Sequence, residues 1–256
     1  MLENIILGIV QGIAEWLPVS SEGLFILIKT NFFQSQEGID VILRQALFLH
    51  LGTFLAALIY FRQDIFSLLK GQQKKISKFL IISTIISGLL GMVFLKILIG
   101  LEDQIIFSGR FITLFVGGLL LITGFLQIKA KSKAGLRKYS DIKNTDSILL
   151  GFLQGIAVLP GLSRSGLTVS GLLLRKFNTA TALKLSFLMS LPIVLAGNII
   201  LNLGHFSFSL ELLVGLFFSF IFGLLTIGVL LKLAKKINFG YFILVFGVIV
   251  VISVFI

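Results

Sequence analysis

Two apolar stretches of this chain are each interrupted by polar side chains beside a Leu-Pro pair. Carboxylates, hydroxyls and a guanidinium in such a setting can hold an anion or a metal ion and can move protons. Charged groups at membrane depth cost several kcal/mol, so polar residues there are candidates for function. The first stretch carries Gln11, Glu15, Ser20, Ser21 and Glu22, and the second carries Gln154, Ser163, Arg164, Ser165 and Thr168.

The second stretch predicts an anion site at the start of a helix. A turn at Pro160-Gly161 leads through Ser163 and Arg164 into an apolar run that begins at Leu167. Free backbone N–H groups and the positive end of the helix dipole favour a negatively charged ligand at such a place. Arg164 adds a planar guanidinium that suits phosphate oxygens. We therefore expect a phosphate cradle around Arg164.

Simpler roles are open for some of these residues. Arg164 could form an ion pair with Glu15 that only fastens the two stretches together. Ser20 and Ser21 could cap the helix that follows them. Gln11 and Glu15 are four residues apart, so they share one helix face.

The two stretches are copies of one motif. Gly8-Ile-Val-Gln-Gly-Ile-Ala returns as Gly151-Phe-Leu-Gln-Gly-Ile-Ala, and each copy continues with Leu-Pro, a pair of serines and Gly-Leu. In a membrane protein, interrupted apolar segments at matching places in two halves indicate the binding site. We predict one integral membrane domain, 1–256, with repeats at about 1–128 and 147–256.

The composition predicts a polytopic membrane protein. Of the 256 residues, 57% are hydrophobic and 13% are charged, and the mean hydropathy is +1.08. A soluble domain carries about a quarter charged residues. The net charge of +11 is concentrated in a few loops, which favours the positive-inside pattern over nucleic-acid binding. The chain has no cysteine, and two histidines, His50 and His205, cannot form a zinc site by themselves.

Six stretches have the roughly 20 mostly apolar residues that a membrane span needs. Each interrupted stretch divides instead into halves of about 12–15 residues, too short to cross, which favours a re-entrant hairpin over a kinked span. The hairpins are predicted at 2–32 and 147–177. The spans are predicted at Gly38–Phe61, Ile76–Ile99, Ser108–Ile128, Thr179–Leu203, Ser207–Leu231 and Phe239–Ile256.

The basic loops set the orientation. With both hairpins re-entrant, every basic loop falls on the cytoplasmic side, whereas a single crossing hairpin would split these loops between the two sides. If both hairpins crossed, most loops would keep the pattern, so charge favours re-entry without proving it. The predicted fold is all-α, an inverted repeat with both termini outside. Its outer connections, at Glu37 and Asp40, Glu102 and Asp103, and 204–208, are acidic or nearly uncharged.

Each hairpin also carries two glycines four residues apart, Gly8 and Gly12 in the first and Gly151 and Gly155 in the second. Small residues at this spacing let helix backbones approach closely in a membrane. Glycine is also common in membrane helices without such a role. Both interpretations remain open at the level of the sequence.

With these motifs the chain resembles the undecaprenyl-diphosphate phosphatases of the bacitracin-resistance type, membrane enzymes that recycle the lipid carrier of cell-wall synthesis. The resemblance runs nearly end to end and is strongest at Gln11–Gly23 and Leu159–Thr168. It implies the inverted repeat with two re-entrant hairpins. It also implies hydrolysis of a polyprenyl diphosphate to the monophosphate, in the cell membrane, with a divalent cation such as magnesium or calcium.

The resemblance implies roles for particular residues. Glu15 would serve metal or proton chemistry, and Ser21 would be a nucleophile or a phosphate ligand. Gln11 stands where the family motif has a first acid, so a metal site of Glu15 and Gln11 would have one anionic ligand fewer. The diphosphate would be held by Arg164 together with Ser163, Ser165, Thr168 and the hydroxyl of Ser20.

One departure puts proton transfer in doubt. The family usually has a histidine directly after Ser-x-Gly, and this chain has Leu24. Two substitutes are available, Glu22 and His50, and an imidazole can act as a base near neutral pH. His50 lies near the middle of the first predicted span, where a buried, hydrogen-bonded packing role is also open.

Two functions fit these expectations. The first is hydrolysis of the lipid diphosphate at a site that opens outward. The second is a non-hydrolytic polyprenyl-phosphate translocator, because half-helices at the midplane also suit alternating access. The expected partners are the lipid substrate and the membrane. A homodimer is compatible with the chain, although no particular residue indicates one.

Overall fold

The computed structural model describes residues 1–102, 109–202 and 209–255. The predicted outer loop at 204–208 with His205, and Asp103, lie outside the described residues. The described part is helical, apart from turns and one isolated β-bridge between Arg137 and Phe177. Its α-helices are α1 (Leu2–Ala14), α2 (Ser21–Leu27), α3 (Ile39–Tyr60), α4 (Arg62–Leu69), α5 (Lys74–Glu102), α6 (Gly109–Lys131), α7 (Asn144–Ile156), α8 (Arg164–Leu174), α9 (Thr179–Asn202), α10 (Leu210–Lys236) and α11 (Phe239–Ile252).

Five of the six predicted spans form long apolar helices. By length and composition α3, α5, α6, α9 and α10 can cross a membrane. The sixth, α11, has only 14 described helical residues. At 1.5 Å per residue that is about 21 Å, which is shorter than the hydrocarbon core of a bilayer. The short helix α4 lies within the first basic loop and had no separate prediction.

The two interrupted stretches fold as pairs of short helices. In the first, α1 has 13 residues and α2 has seven, extended by a π-helical segment Ile28–Phe32. In the second, α7 has 13 residues and α8 has 11. Each break falls at the Leu-Pro pair, because proline removes a backbone donor and disfavours helix at the residue before it. The second pair begins at Asn144, three residues earlier than predicted.

The glycines of the first pair bring two helix backbones together. A Cβ on Gly8 would lie 2.2 Å from the carbonyl oxygen of Gly215, and a Cβ on Gly12 would lie 2.8 Å from that of Ser219. Both partners belong to α10, which packs along α1. The predicted close approach is therefore confirmed for α1.

The second pair makes the matching contact with α5. A Cβ on Gly151 would lie 2.9 Å from the carbonyl oxygen of Ser83, and a Cβ on Gly155 would lie 2.7 Å from Cβ of Leu90. The helix that follows the first pair, α3, contacts α1, α2 and α10. The helix that follows the second pair, α9, contacts α8 and α5, and α3 and α9 also contact each other. This packing places both Leu-Pro breaks in the interior of the molecule.

Trp16 anchors the loop between α1 and α2 to α10 and α9. Its indole Nε1 donates to the carbonyl oxygen of Gly223 on α10 at 2.9 Å, and its ring lies 5.6 Å from that of Phe187 on α9. The side chain is 2% exposed. A buried tryptophan with its N–H satisfied holds the loop by packing and by a hydrogen bond together.

Candidate functional site

The two Leu-Pro loops meet. Arg164 Nη2 forms a partly buried ion pair with Oε1 of Glu15, across 149 positions of sequence. Ser165 Oγ donates to the carbonyl oxygen of Leu17 at 3.2 Å. A Cβ on Gly23 would lie 3.2 Å from Cα of Gly161, so the loops also touch through backbone. The sequence motif thus becomes one site built from both copies.

Glu15 is the centre of this site. One of its oxygens pairs with Arg164, and the other, Oε2, accepts from Gln11 Nε2 at 3.0 Å and from Ser21 Oγ at 3.1 Å. His50 Nε2 lies 3.2 Å from the same oxygen. The carboxylate is 6% exposed, so its charge is balanced by Arg164 and by hydrogen bonds rather than by water.

His50 belongs to the site. Its Nδ1 donates to the carbonyl oxygen of Ala46 at 2.7 Å, while its Nε2 lies 3.4 Å from Ser21 Oγ and 4.0 Å from a Glu22 oxygen. The carbonyl of Ala46 and the carboxylate of Glu15 place an acceptor oxygen at each ring nitrogen, which suits a ring with N–H at both positions. The sequence left open whether His50 packs in the core or belongs to the site, and the structure places its imidazole beside Ser21, the candidate nucleophile.

Arg164 keeps donor capacity after pairing with Glu15. Within the described residues its Nη1 is buried and has no hydrogen-bond partner. The residue is the first of α8, and its side chain is 17% exposed. The ion pair and the predicted phosphate cradle are therefore compatible, since one arm of the guanidinium pairs with Glu15 and the other has no partner within the described residues.

The two serines before α2 and α8 are helix caps. Ser20 Oγ accepts from the backbone N–H of Gly23 at 3.3 Å, and Ser163 Oγ accepts from that of Gly166 at 3.0 Å. Ser20 adopts a left-handed backbone with φ of 60°, a conformation that costs a non-glycine residue about 1–3 kcal/mol. The capping alternative is thus confirmed for Ser20. Ser21 instead turns towards Glu15.

Two predicted site residues do not reach the cavity. Thr168 is fully buried and bonds to the carbonyl oxygen of Arg164 at 2.8 Å and to Ser186 Oγ at 2.7 Å. Gln11 lies behind Glu15, outside the cavity lining found among the described residues. Thr168 turns towards Ser186 of α9, and Gln11 bonds to Glu15, which follows α1. Residue spacing alone could not reveal either contact. Their roles are to support Arg164 and Glu15.

A cavity of about 210 Å³ joins the remaining residues. Its polar end is formed by Glu15, Ser20, Ser21, Glu22, His50, Ser163, Arg164 and Ser165. The other end is apolar and is formed mainly by α5 and α9, including Met92, Leu95, Ile193, Val194, Ile200 and Leu201. The cavity therefore suits a ligand with an anionic head and a hydrocarbon tail.

Sequence reasoning missed part of the lining. Thr84 and Ser87 line the cavity from α5, beside Gln154 of α7. Gln154 was noted as polar at depth but was given no role. In the sequence, Thr84, Ser87, Gly88 and Gly91 recur at helical spacing and form one face of small and polar residues on an otherwise apolar helix. This pattern could have indicated the face that lines the cavity.

The candidate ligands for a metal ion are two carboxylates of the cavity. Among residues 1–102, 109–202 and 209–255, no three His, Cys, Asp or Glu side chains are grouped as a metal site. Glu15 and Glu22 nevertheless both line the cavity beside the hydroxyl of Ser21. One or two carboxylates together with substrate phosphates are the usual ligands of Mg²⁺. The donor set fits a cation that arrives with, or is shared by, a phosphate ligand.

Comparison with known proteins gives consistent matches over almost the whole chain. An undecaprenyl-diphosphatase of Methanococcoides burtonii is 43% identical, over 99% of this chain and 98% of its own. Proteins of the same name from Haloarcula marismortui and Alkaliphilus metalliredigens are 36% and 33% identical, over 96% and 93% of this chain and 94% and 92% of theirs. The family model described as bacitracin resistance protein BacA matches residues 4–252. The chain is a multi-pass membrane protein and belongs to the bacitracin resistance protein BacA family.

Proposed function

We propose that this protein hydrolyses an undecaprenyl-type polyprenyl diphosphate to the monophosphate and inorganic phosphate. One observation carries the proposal: Glu15 and Arg164, from separate loops, are paired in one cavity with Ser21 and His50. Relatives named undecaprenyl-diphosphatase match the chain over nearly its full length. The site is built within one chain, so the proposal does not require a second copy.

Substrate binding follows from the two ends of the cavity. Arg164 Nη1, which has no partner within the described chain, donates to the terminal phosphate. Backbone N–H groups at the start of α8 face the same charge. The prenyl chain lies along the apolar wall of α5 and α9, where it exchanges lipid for protein contacts.

The reaction uses Ser21. Its Oγ attacks the terminal phosphorus while its proton passes to Glu15, 3.1 Å away. The bond from phosphorus to the bridging oxygen breaks, and the lipid monophosphate leaves with both electrons of that bond. His50, with Nε2 3.4 Å from Ser21 Oγ, stabilises the developing negative charge. Water then attacks the phosphorus bound to Ser21, and Glu22 accepts a proton of that water. The bond from phosphorus to Ser21 Oγ breaks with its electrons on oxygen, and Glu15 returns its proton to that oxygen.

A divalent cation, magnesium or calcium, would be held by Glu15 and Glu22 together with phosphate oxygens of the substrate. When bound it would neutralise charge on the phosphates. Gln11 would position Glu15 rather than bind the cation, because it lies behind that carboxylate in the described structure.

The proposal includes a membrane topology. We place six spans across the plasma membrane, counting α11, and two re-entrant hairpins formed by α1–α2 and α7–α8. The halves insert in opposite directions, which is supported by the matching contacts of α1 with α10 and α7 with α5. The first hairpin then enters from outside, and the site opens to that side.

The test is phosphate release from polyprenyl diphosphate by purified protein in detergent. The wild type should turn over, and a chelator should stop it. Arg164→Ala should lower kcat/KM by on the order of 100-fold or more, because an aligned donor to the reacting phosphate is lost. Arg164→Lys keeps the positive charge beside Glu15 and serves as the matched variant, with activity between the two.

A translocator on the same fold would bind the lipid but release no phosphate from it. Absence of turnover by folded wild-type protein in the presence of magnesium or calcium would therefore overturn the proposal. Near-normal turnover by folded Arg164→Ala would overturn the assignment of the cradle.

A further inference from the structure

A second polar patch lines the cavity on the wall formed by α5 and α7. It consists of Thr84, Ser87 and Gln154, and is called the α5–α7 patch below. We infer that this patch binds the phosphate that stays attached to the lipid, while Arg164 holds the phosphate that is cleaved. The inference rests on the proposed function and adds a second phosphate subsite to it.

The repeat explains why Gln154 is available. In the first copy Gln11 donates to Glu15, four residues later on its own helix. In the second copy the corresponding position is Val158, which cannot accept a hydrogen bond. Gln154 Nε2 donates instead to Ser87 Oγ of the neighbouring helix at 3.0 Å. The glutamine of the first copy therefore bonds to the carboxylate of its own stretch, whereas the glutamine of the second copy bonds to a hydroxyl of α5.

The patch has unused hydrogen-bonding capacity. Gln154 is 4% exposed, and its Oε1 is buried without a partner among the described residues. Thr84 Oγ1 is likewise buried without a partner in the described part of the chain. Ser87 Oγ donates to the carbonyl oxygen of Thr84 at 3.2 Å. Buried polar groups are costly unless something pairs with them, so a ligand or water is expected at this wall.

The chemistry of the substrate restricts what that ligand group is. A polyprenyl diphosphate has polar atoms only in its two phosphates, because the chain is a hydrocarbon. The terminal phosphate carries the larger charge and matches the guanidinium of Arg164. The lipid-linked phosphate, which carries one negative charge in the diphosphate, matches a neutral set of hydroxyl and amide donors. By elimination it pairs with the α5–α7 patch.

The patch can present donors to an anion by a small rearrangement. A half-turn of the Gln154 amide directs Nε2 into the cavity, and Ser87 Oγ then donates to Oε1 instead of to the backbone. Thr84 Oγ1 can donate at the same time. The hydrogen bond between Gln154 and Ser87 is kept in reversed direction, so the change exposes no new buried group.

Product inhibition separates the two subsites. Polyprenyl monophosphate contains the lipid-linked phosphate, whereas inorganic phosphate corresponds to the cleaved one. In Thr84→Val and Gln154→Leu, inhibition by polyprenyl monophosphate should weaken by about threefold to tenfold each, the effect of losing a neutral hydrogen bond. Inhibition by inorganic phosphate should stay at the wild-type value in both variants.

Ser83→Ala is the matched control. Ser83 lies on the same helix, is fully buried, bonds to the carbonyl oxygen of Leu80 and is outside the cavity lining of the described residues. It should leave both inhibition constants unchanged. Equal weakening by the two inhibitors, or unchanged inhibition by the lipid in both folded variants, would overturn the inference. Inactive wild-type protein would instead overturn the proposed function.

Discussion

At the scale of single residues, the site depends on how one buried carboxylate is surrounded. Glu15 is in contact with Arg164, Gln11, Ser21 and His50 at once. Arg164 contacts one oxygen and the other three residues share the second oxygen, so the carboxylate is held from both sides. Leu24 lies where the family resemblance implies a histidine, and in the proposed mechanism an imidazole comes from another helix. His50 is in a position to supply it.

The first prediction concerns His50. His50→Gln should lower kcat by about 100-fold, because the group that stabilises charge beside Ser21 is lost. KM should change little, since Arg164 and the apolar wall still bind the substrate. Steady-state kinetics together with the thermal unfolding midpoint would check this. A folded variant with wild-type kcat would make His50 a packing residue only.

At the scale of elements, charged clusters fasten the ends of each helix pair. Lys29, at the end of the first pair, is 4% exposed and pairs with Glu37 and with Glu3. In the second pair the fully buried Asp146, at the start of α7, pairs with Arg137 and with Arg175 at the end of α8. These clusters hold the outer ends of the pairs, and so the loops that carry the site stay in register.

The pKa of Asp146 gives a second prediction. Burial alone would raise this pKa, but hydrogen bonds from Arg137 and Arg175 and from the backbone of Lys143 hold it below its ordinary value. A carboxyl with a lowered folded-state pKa stabilises the fold above its unfolded pKa of about 3.9 and loses that stabilisation as the pH falls through the folded value.

Asp146→Asn should therefore destabilise the protein by about 1.5–3 kcal/mol between pH 5 and 8, the value of hydrogen bonds to a charged group. The difference from wild type should shrink as the pH falls below about 4, because the carboxyl of the unfolded chain then takes up a proton more readily than the folded one. Thermal unfolding in detergent over this pH range would measure it. A difference that grows on acidification contradicts the assignment.

The close contact of α1 with α10 gives a third prediction. Gly8→Ala should lower the unfolding midpoint, because its Cβ would lie 2.2 Å from a backbone oxygen of Gly215 and such overpacking costs about 1–3 kcal/mol. Gly118→Ala is the matched control, since nothing described lies within 4 Å of its Cβ position. There alanine should stabilise α6 by about 0.5–1 kcal/mol. Equal effects of the two changes would show that α1 and α10 are not packed backbone to backbone.

At the scale of the whole molecule, topology decides from which side the cavity is reached. The chain has no cysteine, so single cysteines can be placed at will. Leu2 and Gln36 are exposed positions that flank the first hairpin, and Lys138 and Ala180 are exposed positions that flank the second. If both hairpins are re-entrant, the two flanks of each hairpin share one side of the membrane.

An impermeant maleimide should therefore label Leu2→Cys and Gln36→Cys in intact cells. It should label Lys138→Cys and Ala180→Cys only after permeabilisation. A hairpin that crossed the membrane would place its two flanks on opposite sides. One cysteine of that pair would then be labelled in intact cells and the other only after permeabilisation.

The sequence by itself determined the class of protein, the breaks and the motif. Hydropathy placed the five long helices to within a few residues, and the Leu-Pro pairs placed the breaks in the two short-helix pairs. The motif of both copies marked Glu15 and Arg164 as site residues and left their ion pair as an open alternative, because a buried charge needs an opposite one. These features follow from local chemistry. Proline and glycine interrupt a helix at the positions where they occur, and a charged residue within an apolar stretch is visible from its immediate neighbours.

Only the tertiary structure decided which faces of the helices meet. Membrane helices are apolar almost all round, so hydropathy does not mark the packed face, and association depends on shape. The contact of His50 with Ser21, the turning of Thr168 towards Ser186 and the presence of Thr84 in the cavity therefore had to be observed. Each depends on helices that are distant in sequence and close only after packing.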